Sequence, residues 1–188
     1  TVRRFDIPRE PFLRLVEANR MDQRATRYHN YADLESYCQH SANPVGRLVL
    51  HVFGYRDEQR QRLSDQTCTA LQLANFWQDV SRDYAMGRIY IPLEDMARFG
   101  YTEDELARGL FTESFRDLMA FEVERARELF RDGLRLVGTL RGRLKLDIAL
   151  FSLGGTKVLD MIEAQGYDVL SRRPVVSGGA RARLALQT

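Results

Sequence analysis

The residues best suited to chemistry lie in one stretch, Leu71-Gln72-Leu73-Ala74-Asn75-Phe76-Trp77-Gln78-Asp79-Val80-Ser81-Arg82-Asp83. Wound as an α-helix at about 100° per residue, Gln72, Asn75, Asp79 and Asp83 fall within an arc of roughly 80° over three turns. Phe76 leads into an apolar arc of Val80, Leu73, Tyr84 and Trp77 on one side, and Leu71 stands on the other. Buried carboxylates are costly unless they are paired or bound to metal. Two carboxylates one turn apart repel when both are ionised. A divalent cation removes that repulsion, and Asn75 offers a third oxygen. Mg²⁺ suits such a set, because it takes one or two carboxylates and fills its shell with water and substrate phosphate. The same D-x-x-x-D spacing is common on exposed helix faces that bind nothing. The apolar flanks and the Gln72/Asn75 extension therefore carry the reading, and the pair alone does not.

Other segments extend this picture. Gly87-Arg88-Ile89-Tyr90-Ile91-Pro92 puts a guanidinium five residues past Asp83, where it can bind a phosphate oxygen or pair with Asp83 itself. Ala42 and Gly46, one turn apart in Tyr37-Cys38-Gln39-His40-Ser41-Ala42-Asn43-Pro44-Val45-Gly46, allow close approach, either by a neighbouring helix or by a greasy substrate tail. His29, His40 and His51 lack metal-ligand spacing. Cys38 and Cys68 form neither a metal motif nor a disulfide framework; they read as buried small residues in a reducing cytoplasm. Glu122, Glu124, Glu128 and Asp132 alternate with Arg125, Arg127 and Arg131, the pattern of a salt-laced outer face.

Helices position these groups. Pro8 and Pro11 open an amphipathic stretch with Phe12, Leu15, Val16 and Asn19, followed by a polar loop over residues 21–30. Asp33 to Phe53 reads as one helix kinked at Pro44 and capped by Gly54. Asp57 to Ala85 is the longest helix, closed by Gly87, and Arg88–Pro92 is an extended link. Short helices over Leu93–Phe99 and Thr102–Arg108 follow, the second with a capping box from Thr102 to Glu105. Thr112–Leu136 is strongly periodic, and Leu144–Ala164 is interrupted by Gly154-Gly155. Strand alternation and internal repeats are absent, so the fold class is all-α. From Arg172 the chain becomes rich in Arg, Gly, Ser and Pro and reads as a loose tail. The expected division is a helical domain over 1–174 and a polar tail over 175–188.

The 188 residues suffice for one hydrophobic core. A net charge of +2, with 44% hydrophobic and 29% charged residues, excludes disorder and argues against nucleic acid as a partner. No apolar run approaches the ~20 residues of a membrane span, and no NADPH-binding motif is present.

Two linked signatures in order identify the chain as similar to the squalene/phytoene synthase family of head-to-head prenyl transferases. Tyr37-Cys38-(x)3-Ala42-(x)2-Val45-Gly46 resembles the first. Gln72-(x)2-Asn75-(x)3-Asp79-(x)3-Asp83-(x)4-Arg88-Ile89-Tyr90-Ile91-Pro92 resembles the second, and Gly166–Pro174 is more weakly similar to the family's C-terminal end. Ser41–Arg47 and Phe76–Val80 look most like the bacterial hopanoid-associated branch, which converts presqualene diphosphate and water to hydroxysqualene. Gln78, where many relatives carry Arg, and Gly155, where some carry Tyr, depart from the pattern.

The resemblance implies a class I isoprenoid synthase fold, with helices around a central cavity. Asp79 and Asp83, with Asn75, would hold Mg²⁺ (or Mn²⁺) against an isoprenoid diphosphate, Gln72 beside them. Tyr37 would face the reacting centre, Arg88 and Arg172 would bind diphosphate, and Ala42, Val45 and Gly46 would border the substrate. The greasy substrate and product are compatible with a peripheral contact at the inner membrane face. The family's first aspartate-rich motif has no counterpart before Asn30, where Asp6 and Asp22 stand alone. The expectation is that the chain spans the middle and C-terminal parts of the fold and lacks its N-terminal helices. Phytoene or dehydrosqualene synthesis is the alternative reaction, and a non-catalytic fragment serving lipid binding or assembly is the alternative outside enzymes.

Overall fold

The helix starts follow local capping chemistry. In the computed structural model, which describes residues 2–175, Asn30, Asp57, Thr102 and Thr112 each accept a backbone N–H from three residues on and open a helix. The elements are α1 (Val2–Phe5), α2 (Glu10–Asp22), α3 (Tyr31–Ser41), α4 (Asn43–Val52), α5 (Glu58–Ala85), α6 (Leu93–Arg98), α7 (Glu103–Ala107), α8 (Glu113–Gly133), a 3-10 turn (Leu134–Thr139) and α9 (Gly142–Ala164). The described residues contain no strand, so the all-α expectation holds.

Three boundaries differ from the sequence reading. Asp33–Phe53 is not one kinked helix. It breaks at Ala42 (φ −112°, ψ −52°), and α4 restarts with Pro44 in its first turn, where the missing N–H leaves no bond unmade. The glycines at 154 and 155 do not interrupt α9, because packing overrides their weak helix preference. α2 runs on through Asp22, two residues into the expected loop.

α5 is the central column. Its Leu73 and Trp77 are completely buried with Phe115, Leu118 and Met119 of α8. The two helices converge at the C-terminal end of α8. A Cβ on Gly133 would lie 2.9 Å from the backbone N of Thr67. A smaller cluster of Leu50, Leu136, Leu140 and Leu144 joins α4, the 3-10 turn and α9.

Glu122 corrects the reading of α8 as carrying an acidic outer row. Its side chain is 0% exposed, next to Arg125, while Glu124 and Glu128 pair with Arg131 at the surface. The reason is helical phase, since 122 follows Phe115, Leu118 and Met119 on the core-facing side. Nor are residues 172–174 loose: Pro174 is buried, Arg173 and the Pro174 carbonyl bond to α5, and the Arg172 carbonyl accepts from Gln165. The rest of the expected tail, 176–188, lies outside the described residues. No helix among the described residues is long and apolar enough to cross a membrane.

Candidate active site

α5 brings Gln72, Asn75, Asp79 and Asp83 into one row, as their spacing requires. Asn75 Nδ2 donates to Asp79 Oδ2 at 3.2 Å. Asp79 is sheltered, with 14% of its side chain exposed. Asp83 is half-buried. Burial pushes its carboxyl up to about 6, the charge of Asp79 adds to the rise, and Arg88 opposes it. Two carboxylates one turn apart call for positive charge. Its donors are all oxygen, which fits Mg²⁺ or Mn²⁺. Among the described residues no three His, Cys, Asp or Glu side chains converge as a metal cage. A cation on Asp79, Asp83 and Asn75 would therefore draw its remaining ligands from water and phosphate.

A guanidinium completes this row, and it is not one the sequence reading assigned. Arg173 places Nε 2.6 Å from Asp79 Oδ1 and Nη2 2.9 Å from Oδ2. Arg172, assigned to the diphosphate by resemblance, has an exposed side chain, and its carbonyl accepts from Gln165 at 3.0 Å. Arg173 is held in turn by Gln78, whose Oε1 accepts from Nη2 at 3.1 Å and whose Nε2 donates to the Pro174 carbonyl. No periodic signal marks Arg173, because the contact spans 94 residues.

Arg88 does not pair with Asp83. A left-handed Gly87 (φ +80°) ends α5, the Arg88 N–H bonds back to the Asp83 carbonyl at 2.9 Å, and the guanidinium donates to the Tyr90 hydroxyl at 3.5 Å. Tyr37 sits in an aromatic cluster with Tyr28, Phe76 and Tyr90. Its hydroxyl donates to Asp22 at 2.8 Å, and burial followed by this bond pushes its pKa up. Asp22, isolated in sequence, thus reaches the site because α2 carries it there.

Beside the row, α4, α5, α9 and the 3-10 turn surround a cavity of about 410 Å³ with mostly apolar walls. Val45 and Gly46 line it, with Val49, Cys68, Leu71 and Phe151. Ala42 is buried at the α3–α4 break and is not a wall residue. Gly46 also meets the packing alternative, since a Cβ there would collide with Ser64 Oγ and lie 2.5 Å from Cys68 Sγ. Burial pushes the Cys68 thiol up to about 11, away from nucleophile or metal-ligand chemistry. An adjoining cleft of about 260 Å³ shares Leu71 and Phe151 with the cavity and reaches Asn75 and Gln78. Apolar walls thus lead to Asn75, next to Asp79 on α5.

This continuity joins the two signatures in space, and a family model spans both. The model for squalene/phytoene synthase matches residues 1–180. The chain belongs to the squalene/phytoene synthase family. Among solved structures, squalene synthase HpnC from Alicyclobacillus acidocaldarius is 49% identical at a TM-score of 0.87, covering 88% of this chain and 63% of that one. A dehydrosqualene synthase solved in complex with ligand is 25% identical, also at 0.87, covering 95% and 63%. Among curated relatives, 15-cis-phytoene synthase from Synechocystis sp. is 35% identical over 94% of this chain and 56% of its own length. Chloroplastic phytoene synthase 1 from Zea mays is 32% identical over 96% and 46%. The chain therefore spans roughly half the length of the curated relatives it matches.

Proposed function

We propose that this chain acts in a Mg²⁺-dependent head-to-head isoprenoid synthase that converts presqualene diphosphate and water to hydroxysqualene, releasing diphosphate. The observation that carries this is the apolar cavity whose adjoining cleft reaches Asn75, the residue one turn before Asp79 in the row. An isoprenoid diphosphate has the same polarity: a long hydrocarbon and one concentrated charge. Asp79, Asp83 and Asn75 would hold the metal, which supplies positive charge where the leaving diphosphate gathers its own. In ionisation the carbon–oxygen bond breaks and its electron pair leaves with the diphosphate. The carbocation left behind needs the dry walls of Val45, Val49, Leu71 and Phe151, with water admitted only to form the final carbon–oxygen bond.

The similarity to a squalene synthase at 49% identity favours this branch. The phytoene synthases at 35% and 32% identity keep phytoene or dehydrosqualene formation as the second reading. Two free thiols fit a reducing cytoplasm, and a greasy product favours peripheral contact with its membrane face. In a full-length background, Asp79→Ala should abolish Mg²⁺-dependent diphosphate release from presqualene diphosphate. Near-normal turnover would refute the metal role. An oxygenated thirty-carbon product supports the first reading and a forty-carbon hydrocarbon the second. A non-catalytic fragment would bind no pyrophosphate with Mg²⁺.

A further inference from the structure

We infer that Arg173 is a displaceable latch on Asp79, and that Gln78 is the positioning residue that holds it closed. The inference rests on the metal role of Asp79 proposed above, and it concerns what that carboxylate does before a cation arrives. Both oxygens of Asp79 are engaged by one guanidinium, at 2.6 and 2.9 Å. Bidentate pairs of this kind are the strongest ionic contacts an arginine makes. A cation approaching Asp79 meets a site already neutralised and must move Arg173 aside.

The latch is built rather than incidental. Gln78 uses both ends of its amide, accepting from Arg173 and donating to the carbonyl of Pro174. An arginine or lysine at 78 could not accept from a guanidinium and would repel it. Ser81, also on α5, donates to the Val169 and Leu170 carbonyls at 3.1 Å. Gln165, just past α9, donates to the Asp168 and Arg172 carbonyls at 2.8 and 3.0 Å. The segment is thus anchored on both sides of the Arg173 side chain, and opening the latch requires a side-chain swing, not release of the whole segment. Arg82, 3.7 Å from Asp79, is two-thirds exposed and makes no such bidentate contact.

The test is Mn²⁺ binding followed by electron paramagnetic resonance, with Mn²⁺ alone as the probe and no turnover required. Arg173→Gln should bind Mn²⁺ about tenfold more tightly than the parent, the scale of one lost charge-assisted contact. Gln78→Leu should shift affinity the same way by less, because Arg173 then keeps Asp79 but loses its support. Arg173→Lys should fall between, since an ammonium cannot span both oxygens. Equal or weaker binding by Arg173→Gln overturns the latch and leaves the metal role of Asp79 standing. No Mn²⁺ bound by any of these proteins, or equal binding after Asp79→Asn, overturns both.

Discussion

Replacing Glu122 by glutamine should flatten the pH dependence of stability. Glu122 is fully buried; Oε2 accepts from Arg125 Nη1 at 2.8 Å, and Oε1 has no partner. The same nitrogen also donates to Asp95 Oδ2 at 2.9 Å, so two buried carboxylates share one guanidinium. The guanidinium lies over the rings of Tyr31 and Phe121, at 4.2 and 4.6 Å. Burial pushes the Glu122 carboxyl up to about 8 from an ordinary 4.5, Arg125 opposes the rise, and Asp95 adds to it. Between those values the folded protein keeps a proton that the unfolded chain has released. The contribution to stability is full below about 4.5 and is lost as pH rises through about 8. One proton limits the slope to ~1.4 kcal/mol per pH unit, so going from pH 5.5 to 7.5 costs about 2–3 kcal/mol. Glutamine keeps the shape and cannot titrate. Urea unfolding of both proteins at pH 5.5, 6.5, 7.5 and 8.5 gives the difference curve. Asp83 titrates in both proteins and cancels, because it is remote from the substitution. Parallel stability curves for the two proteins would refute the buried-proton argument.

Three further outcomes test the packing and the cavity. Gly133→Ala places a methyl 2.9 Å from the Thr67 backbone N, which cannot yield as a side chain can; a loss of about 1–3 kcal/mol should appear in the urea midpoint, and an unchanged midpoint would refute the close approach. Trp77→Phe removes the buried indole N–H that donates to the Glu122 carbonyl at 3.1 Å, which then keeps only its partner within α8; a loss of about 1 kcal/mol should lower the melting temperature, and an unshifted melt would contradict it. Cys68→Trp should fill the apolar cavity, weakening a long isoprenoid diphosphate analogue by about tenfold or more while leaving Mg²⁺-dependent binding of inorganic pyrophosphate unchanged; equal losses for both ligands would refute the division into a greasy wall and a charged end.

The parts of this molecule legible in sequence are those settled within one helix. The row on α5 could be phased from spacing alone, because 3.6 residues per turn leave no freedom once the segment is helical. The caps at Asn30, Asp57, Thr102 and Thr112 are equally local. Glu122 carried a readable signal too: it stands seven residues after Phe115 and four before Ala126, on the apolar face, but its charge suggested the surface. Gly155 reads as a helix breaker until its neighbours are seen: a Cβ there would collide with the Phe130 ring and lie 2.8 Å from Leu71 Cδ2, so any larger residue requires both side chains to shift. Asp22 and Arg173 are different in kind. Each reaches the site from a distant segment, Asp22 to Tyr37 and Arg173 to Asp79; Asp22 sits in no motif, and the Gly166–Pro174 resemblance pointed to Arg172 rather than its neighbour Arg173. A carboxylate row announces that positive charge is needed. Which positive charge answers, a metal ion or a guanidinium from the far end of the chain, depends on the loop geometry beyond α9. A composition of arginine, serine and proline suggested looseness there, yet Arg173 and Pro174 are held against α5 beside the row.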